Sequence, residues 1–152
     1  MIRRILVIDD DPVIGEMIRD FLEFDKVDVL LSLTPEDGLF NARYKSPRII
    51  LLDLFLPNMN GFEVYQRLKQ DNRTKDIPVI IITGHTDSNT LEMMNELGIT
   101  GVFYKPFHFR HLRSKLLSII DGEKPDKVIC KICGAELDDS WEFCPFDGWK
   151  KQ

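Results

Sequence analysis

A doubly wound α/β fold on a five-stranded parallel sheet is what this sequence predicts, and two features carry the prediction. Short runs rich in β-branched residues and leucine, at Ile5–Ile8, Val27–Leu31, Ile49–Leu52, Val79–Ile82 and Gly101–Tyr104, recur every 20–30 residues. Between them lie stretches with helical spacing of apolar residues, such as Phe62, Tyr65 and Leu68, or Phe109, Leu112, Leu116 and Ile119. The runs are mostly continuous rather than alternating, as strands covered by helices on both faces require. Strict alternation of strand and helix then makes the sheet parallel.

The helix starts are marked one by one. Asp11 before Pro12 fits an N-cap with proline in the first turn, and Thr34-Pro35 repeats the device. Asn60 with Glu63 three residues on has the form of a capping box, and Gly98 stands where a left-handed C-cap would end the fourth helix. Met93 and Met94 read as packing residues. After Ile120 the composition changes. Asp121–Lys127 has no apolar side chain and reads as a linker, and all three cysteines and both tryptophans lie beyond it. The expected organisation is a domain at 1–121, a linker at 122–128 and a small module at 129–152.

Composition narrows the function classes. The 152 residues carry 20 Lys and Arg against 25 Asp and Glu, a net charge of −5 with no basic run. That balance argues against non-specific nucleic-acid binding, which needs cationic side chains to displace counterions. Apolar runs such as Ile49–Leu52 are four residues long, far short of the roughly 20 that span a bilayer. Asp9 ends the first run too early for a signal peptide. The expectation is a cytoplasmic chain with no membrane segment.

The chemistry gathers at the strand ends. Asp9 and Asp10 follow the first run and Asp53 ends the third. In a sheet of order 2-1-3-4-5 those strands are neighbours, and their carboxyl ends flank the crevice where open α/β folds bind ligands. Three clustered carboxylates repel, and a hard divalent cation such as Mg2+, with its octahedral oxygen shell, relieves that repulsion. Thr83 ends the fourth run, and Lys105-Pro106 follows the fifth, at the same edge. A hydroxyl donor and a fixed cation beside an acidic metal site suit phosphoryl transfer, and Gly84 leaves room for the group.

Together the segments Ile5-Leu-Val-Ile-Asp9-Asp10, Leu51-Leu-Asp53-Leu-Phe-Leu-Pro57 with Gly61, Ile80-Ile-Ile-Thr83-Gly84 and Tyr104-Lys105-Pro106-Phe107 resemble the receiver domain of two-component response regulators over residues 3–121. The resemblance implies a flavodoxin-like fold with Asp53 as phosphoacceptor. It implies Mg2+ held by Asp10, Asp53 and the backbone carbonyl of Phe55, with Asp9 acting through water. Thr83 would donate to the phosphoryl group, Lys105 would pair with it, and the Lys105–Pro106 bond would be cis. The implied partners are a histidine kinase or phosphotransfer protein, or a small acyl phosphate. Val102 departs from the pattern, since the family has Tyr or Phe three residues before the lysine. Phe103 and Tyr104 alternate faces of the strand and do not simply replace that ring. His85 stands where the family tunes loss of phosphate, or is an exposed loop residue. His108 and His111 read as a solvated helix face.

The tail reads Cys130-x-x-Cys133-Gly, then Cys144-x-x-Asp147-Gly. Two such turns can set four ligands around Zn2+, and the pattern resembles a zinc ribbon with Asp147 in the place of a fourth cysteine. Ordering about 24 residues costs roughly 35 kcal/mol at about 1.5 per residue. The apolar side chains there return roughly 20 when buried at about 2–3 each, so structural zinc at about 10–16 closes the gap. A redox dithiol, a turn-capping Asp147 and a disordered tail are the competing readings. The functional expectation is a phosphoacceptor that turns over no external substrate and signals through protein contacts, with a possible phosphorylation-dependent homodimer and no nucleic-acid partner. Its rivals are a non-switching interaction scaffold and a Mg2+-dependent aspartyl-phosphate phosphohydrolase. Against the latter, Asp9-Asp-Asp-Pro-Val13 lacks the Asp-x-Asp-x-Thr pattern.

Overall fold

The computed structural model describes residues 3–84, 87–97, 99, 101–122 and 132–133. Its strands are β1 (Arg4–Ile8), β2 (Asp28–Ser32), β3 (Ile49–Asp53), β4 (Val79–Thr83) and β5 (Gly101–Tyr104). Helices α1 (Pro12–Phe21), α2 (Pro35–Tyr44), α3 (Gly61–Gln70), α4 (Ser88–Leu97) and α5 (Phe109–Asp121) alternate with them. The sheet order is β2-β1-β3-β4-β5, as expected. Every residue of β3 and β4 is buried, so their unbroken apolar runs follow from having helices on both faces. Edge strand β2 begins on exposed Asp28, and β5 fully buries only Phe103.

Local chemistry starts the helices where the sequence placed them. The Asp11 carboxylate accepts from the Val13 N–H at 3.0 Å, the Thr34 hydroxyl from Asp37 at 3.2 Å, and the Asn60 side chain from Phe62 at 2.8 Å. The capping-box reading of Glu63 needs correcting. Its carboxylate goes forward to Arg67, one turn on at 2.9 Å, because an i,i+4 cation offers it a charged partner on the helix surface. Gly98 lies outside the described residues.

Two compact units divide the chain, Met1–Ile82 and Thr83–Gln152. In the first, β1, β3 and β4 bury Ile5–Ile8, Ile49–Leu52 and Val79–Ile82, with Ile18, Leu22, Ala42, Val64 and Leu68 also in the core. Among the described residues of the second, Phe103, Leu112, Leu116, Ile120 and Met94 are the buried apolar side chains. The α5 stripe thus runs 112, 116 and 120, a strict four-residue step that leaves Phe109 and Ile119 half-buried. Met93 is 42% exposed while Met94 packs, because adjacent positions on a helix face about 100° apart. Among the described residues no helix is long and apolar enough to cross a membrane.

Candidate functional site

Register brings the carboxylates together. Ile8 of β1 stands opposite Leu52 of β3, so Asp9 and Asp53, each one residue further on, emerge at the same level of adjacent strands. The side-chain oxygens of Asp9, Asp10 and Asp53 lie within 4.8 Å of one another. Asp9 and Asp53 are buried, at 2% and 5% exposure, while Asp10 is exposed. Each buried carboxylate is held by an N–H two residues on: Asp11 donates to Asp9 Oδ1 at 2.9 Å, and Phe55 donates to Asp53 Oδ1 at 3.0 Å. These turns fix one oxygen of each acid and leave Asp10 to adjust. A set of hard oxygen donors this close fits Mg2+, whose ligands stand at about 2.0–2.1 Å.

The loop after β3 is built to hold Asp53 still. Phe55 and Asn60 form an antiparallel bridge across it, and the Gly61 N–H donates to the Leu54 carbonyl at 2.9 Å. A Cβ on Gly61 would stand 2.4 Å from Leu54 Cα and 2.5 Å from the Asp53 carbonyl oxygen, so only glycine allows α3 to start against this loop. Asn58 takes a positive φ of 67°, which asparagine tolerates better than most residues.

The other expected residues, Thr83 and Lys105, belong to the second unit. Thr83 is fully buried, and its carbonyl accepts from the Lys105 N–H at 2.8 Å. The Lys105–Pro106 peptide is cis, as the resemblance implied. A Cβ at Gly84 would meet nothing within 4 Å, so open space lies beside that backbone. Phe103 is 1% exposed and meets Phe107 edge-on, with ring centroids 6.1 Å apart. It is a core residue, and Val102 and Tyr104 are half-buried. Burial raises the Tyr104 phenol above its ordinary range.

The solvated reading of the α5 histidines is corrected in part. His108 is exposed, but His111 is half-buried, and the two rings meet edge-on at 5.2 Å. Desolvation first, then the nearby His108 and Arg110, lowers the His111 pKa. His85 lies outside the described residues, as do Cys130, Cys144 and Asp147; Cys133 is half-buried. The sequence reading passed over an exposed apolar stripe on α1, formed by Val13, Met17 and Phe21 at 53%, 45% and 43% exposure. Its four-residue spacing was the available signal.

Comparison with known proteins agrees with this geometry. Residues 5–117 match the family model described as the response regulator receiver domain. The DNA-binding dual master transcriptional regulator RpaA of Synechocystis is 34% identical over 117 residues, 77% of this chain and 48% of RpaA. The phosphate regulon transcriptional regulatory protein PhoB of Pseudomonas aeruginosa is 32% identical, covering 83% of this chain and 58% of PhoB. A CheY-like receiver domain crystal structure from Methanospirillum hungatei superimposes with a TM-score of 0.73 at 25% identity, over 80% of this chain and 96% of that one. The chain spans about half the length of the curated relatives it matches. Their names include DNA-binding regulators, so the expectation of an output without nucleic acid finds no support among them. The receiver motifs, the sheet order and the acidic cluster agree with the family match, and this chain belongs to the response regulator receiver domain family.

Proposed function

We propose that this chain is a two-component response regulator whose Asp53 accepts a phosphoryl group from a histidine kinase or phosphotransfer protein. The observation that carries the reading is the Asp53 carboxylate, buried at the end of β3 and within 4.8 Å of Asp9 and Asp10. One Asp53 oxygen accepts from the Phe55 N–H, which orients the carboxylate that supplies the nucleophilic oxygen. That oxygen forms a bond to phosphorus as the bond from phosphorus to the donor's imidazole nitrogen breaks. Asp10, Asp53 and the Phe55 carbonyl would hold Mg2+, which would offset the charge on phosphoryl oxygens that three carboxylates otherwise repel. Thr83 donates its hydroxyl to the phosphoryl group and Lys105 pairs with its charge. Such a chain accepts one group per cycle and turns over no external substrate.

Incubation with acetyl phosphate and Mg2+ tests this directly. Intact-mass spectrometry should show the gain of one phosphoryl group, absent in Asp53→Asn. A gain that survives Asp53→Asn, or none in the parent chain, would overturn the assignment.

The exposed stripe of α1 supports the partner assignment. It leads from the end of the helix that follows Asp10, so a helical partner docked along it stands beside the acidic cluster. The output reading remains protein contact, and a phosphorylation-dependent homodimer would raise the mass in light scattering. The name of RpaA favours a second output, control of DNA binding, which a phosphorylation-dependent shift of labelled duplex DNA would reveal. Zinc at Cys130, Cys133, Cys144 and Asp147 is supported by their spacing and by the Gly after each pair.

A further inference from the structure

The fold assembles a basic face that no linear run of the sequence displays. The stretches 43–48 and 67–76 carry seven basic residues against two acidic ones, in a chain of net charge −5. Contacts tie the stretches together: Arg43 Nε donates to Asp71 Oδ2 at 2.6 Å, and the Arg73 guanidinium lies over the Tyr44 ring at 5.4 Å. Between the α2 and α3 sides lies a groove of about 850 Å3. Leu39 and Leu68 give it an apolar lining, while Phe40 and Tyr44, 56% and 54% exposed, meet at a 45° tilt with centroids 4.8 Å apart.

The rim is rigid. Buried Thr74 donates its hydroxyl to the Leu68 carbonyl at 2.6 Å, and the Thr74 and Lys75 N–H groups both donate to the Asp71 carbonyl. Asp71 also accepts from the Arg73 N–H, and this bond, followed by Arg43, holds its carboxyl below the usual carboxylate range. The loop that carries Arg73 is therefore in place before any partner arrives. A preformed groove of exposed aromatic rings edged by arginine has the composition that dominates binding hot spots.

We propose that this α2–α3 groove docks an acidic segment of a partner protein, with an aromatic or aliphatic side chain seated on Phe40 and Tyr44 and a carboxylate on Arg73. The chain's own ion pairs display the required chemistry, since Arg43 and Arg67 already hold the carboxylates of Asp71 and Glu63. The planar guanidinium fork matches a carboxylate in two places at once. A long polyanion such as nucleic acid suits the surface less well, because the net charge of −5 repels it at range while a short acidic segment meets only the local field.

The test is a titration of the full 15N-labelled chain with a capped decapeptide of glutamates around a central Trp-Leu, alongside the same peptide with glutamine for glutamate. Oligothymidylate is the competing probe. The expected result is shift changes at residues 39–44 and 67–74, weakened about tenfold by Arg73→Glu or Phe40→Ser, the scale of one hot-spot side chain. Both substituted side chains are exposed, and unchanged acetyl phosphate labelling of Asp53 reports an intact fold. Equal binding of the glutamine peptide, unaltered binding by both variants, or shifts elsewhere would overturn the proposal. Tighter binding of oligothymidylate at the same residues would overturn it in favour of nucleic acid.

Discussion

The carboxylates of Asp9, Asp10 and Asp53 lie within 4.8 Å of one another, and like charges this close repel. Asp10→Asn should therefore raise the melting temperature of metal-free protein and largely cancel the further rise on adding Mg2+. In the parent chain, that rise corresponds to about 2.7 kcal/mol at a hundredfold excess over Kd. Thermal scans with chelator and with Mg2+ check both halves, and an equal Mg2+ shift in the variant would remove the metal from this cluster. Gly61 is the matching steric case. An added Cβ meets only backbone, which cannot rotate away, so Gly61→Ala should cost about 1–3 kcal/mol in urea unfolding and slow labelling of Asp53. His111 sets a pH dependence. Its folded pKa lies below the ordinary value of about 6.5, so its contribution is present above that pH and is lost as pH falls through the lowered value. The melting temperature should drop between pH 7 and pH 5.5, with a shallower slope in His111→Asn.

At the scale of elements, the sequence made most of the architecture legible, because apolar period and cap chemistry act over a few residues. Each strand lies within one residue of its apolar run, and Asp11, Thr34 and Asn60 cap as their types require. The acidic cluster was legible because strand order and register convert three distant aspartates into neighbours. What escaped depends on which way a helix face turns. Met93 and Met94 are equally apolar yet only one packs, and Glu63 chose Arg67 over the backbone. The α1 stripe is a face of that kind, apolar where solvent meets it. Met17→Ser and Phe21→Ser together should slow phosphotransfer from a cognate kinase at least tenfold while leaving acetyl phosphate labelling unchanged, since small donors need no docking face. Equal slowing with both donors would mean the helix supports the site rather than the partner.

Taken as a whole molecule, the chain joins the receiver domain to a tail whose proposed chemistry rests on spacing. The two proposed metals differ in every property that a measurement can separate. Mg2+ would sit among exchangeable oxygen ligands and keep water, so dialysis against chelator removes it. Zinc held by three thiolates and a carboxylate would be bound through folding itself and would survive the same wash. Mass spectrometry of metals on chelator-washed protein should then find one zinc and no magnesium per chain, with the three cysteines protected from a thiol reagent. Acid should release that zinc, because thiolates must be deprotonated to bind it, and the thiols should become reactive as it leaves. Asp147→Ala should increase thiol reactivity without altering Asp53 labelling if the carboxylate is a ligand, and leave it unchanged if Asp147 only caps a turn. Three reactive thiols and no zinc in the washed parent chain would withdraw the ribbon and leave signalling output to the receiver's own surfaces.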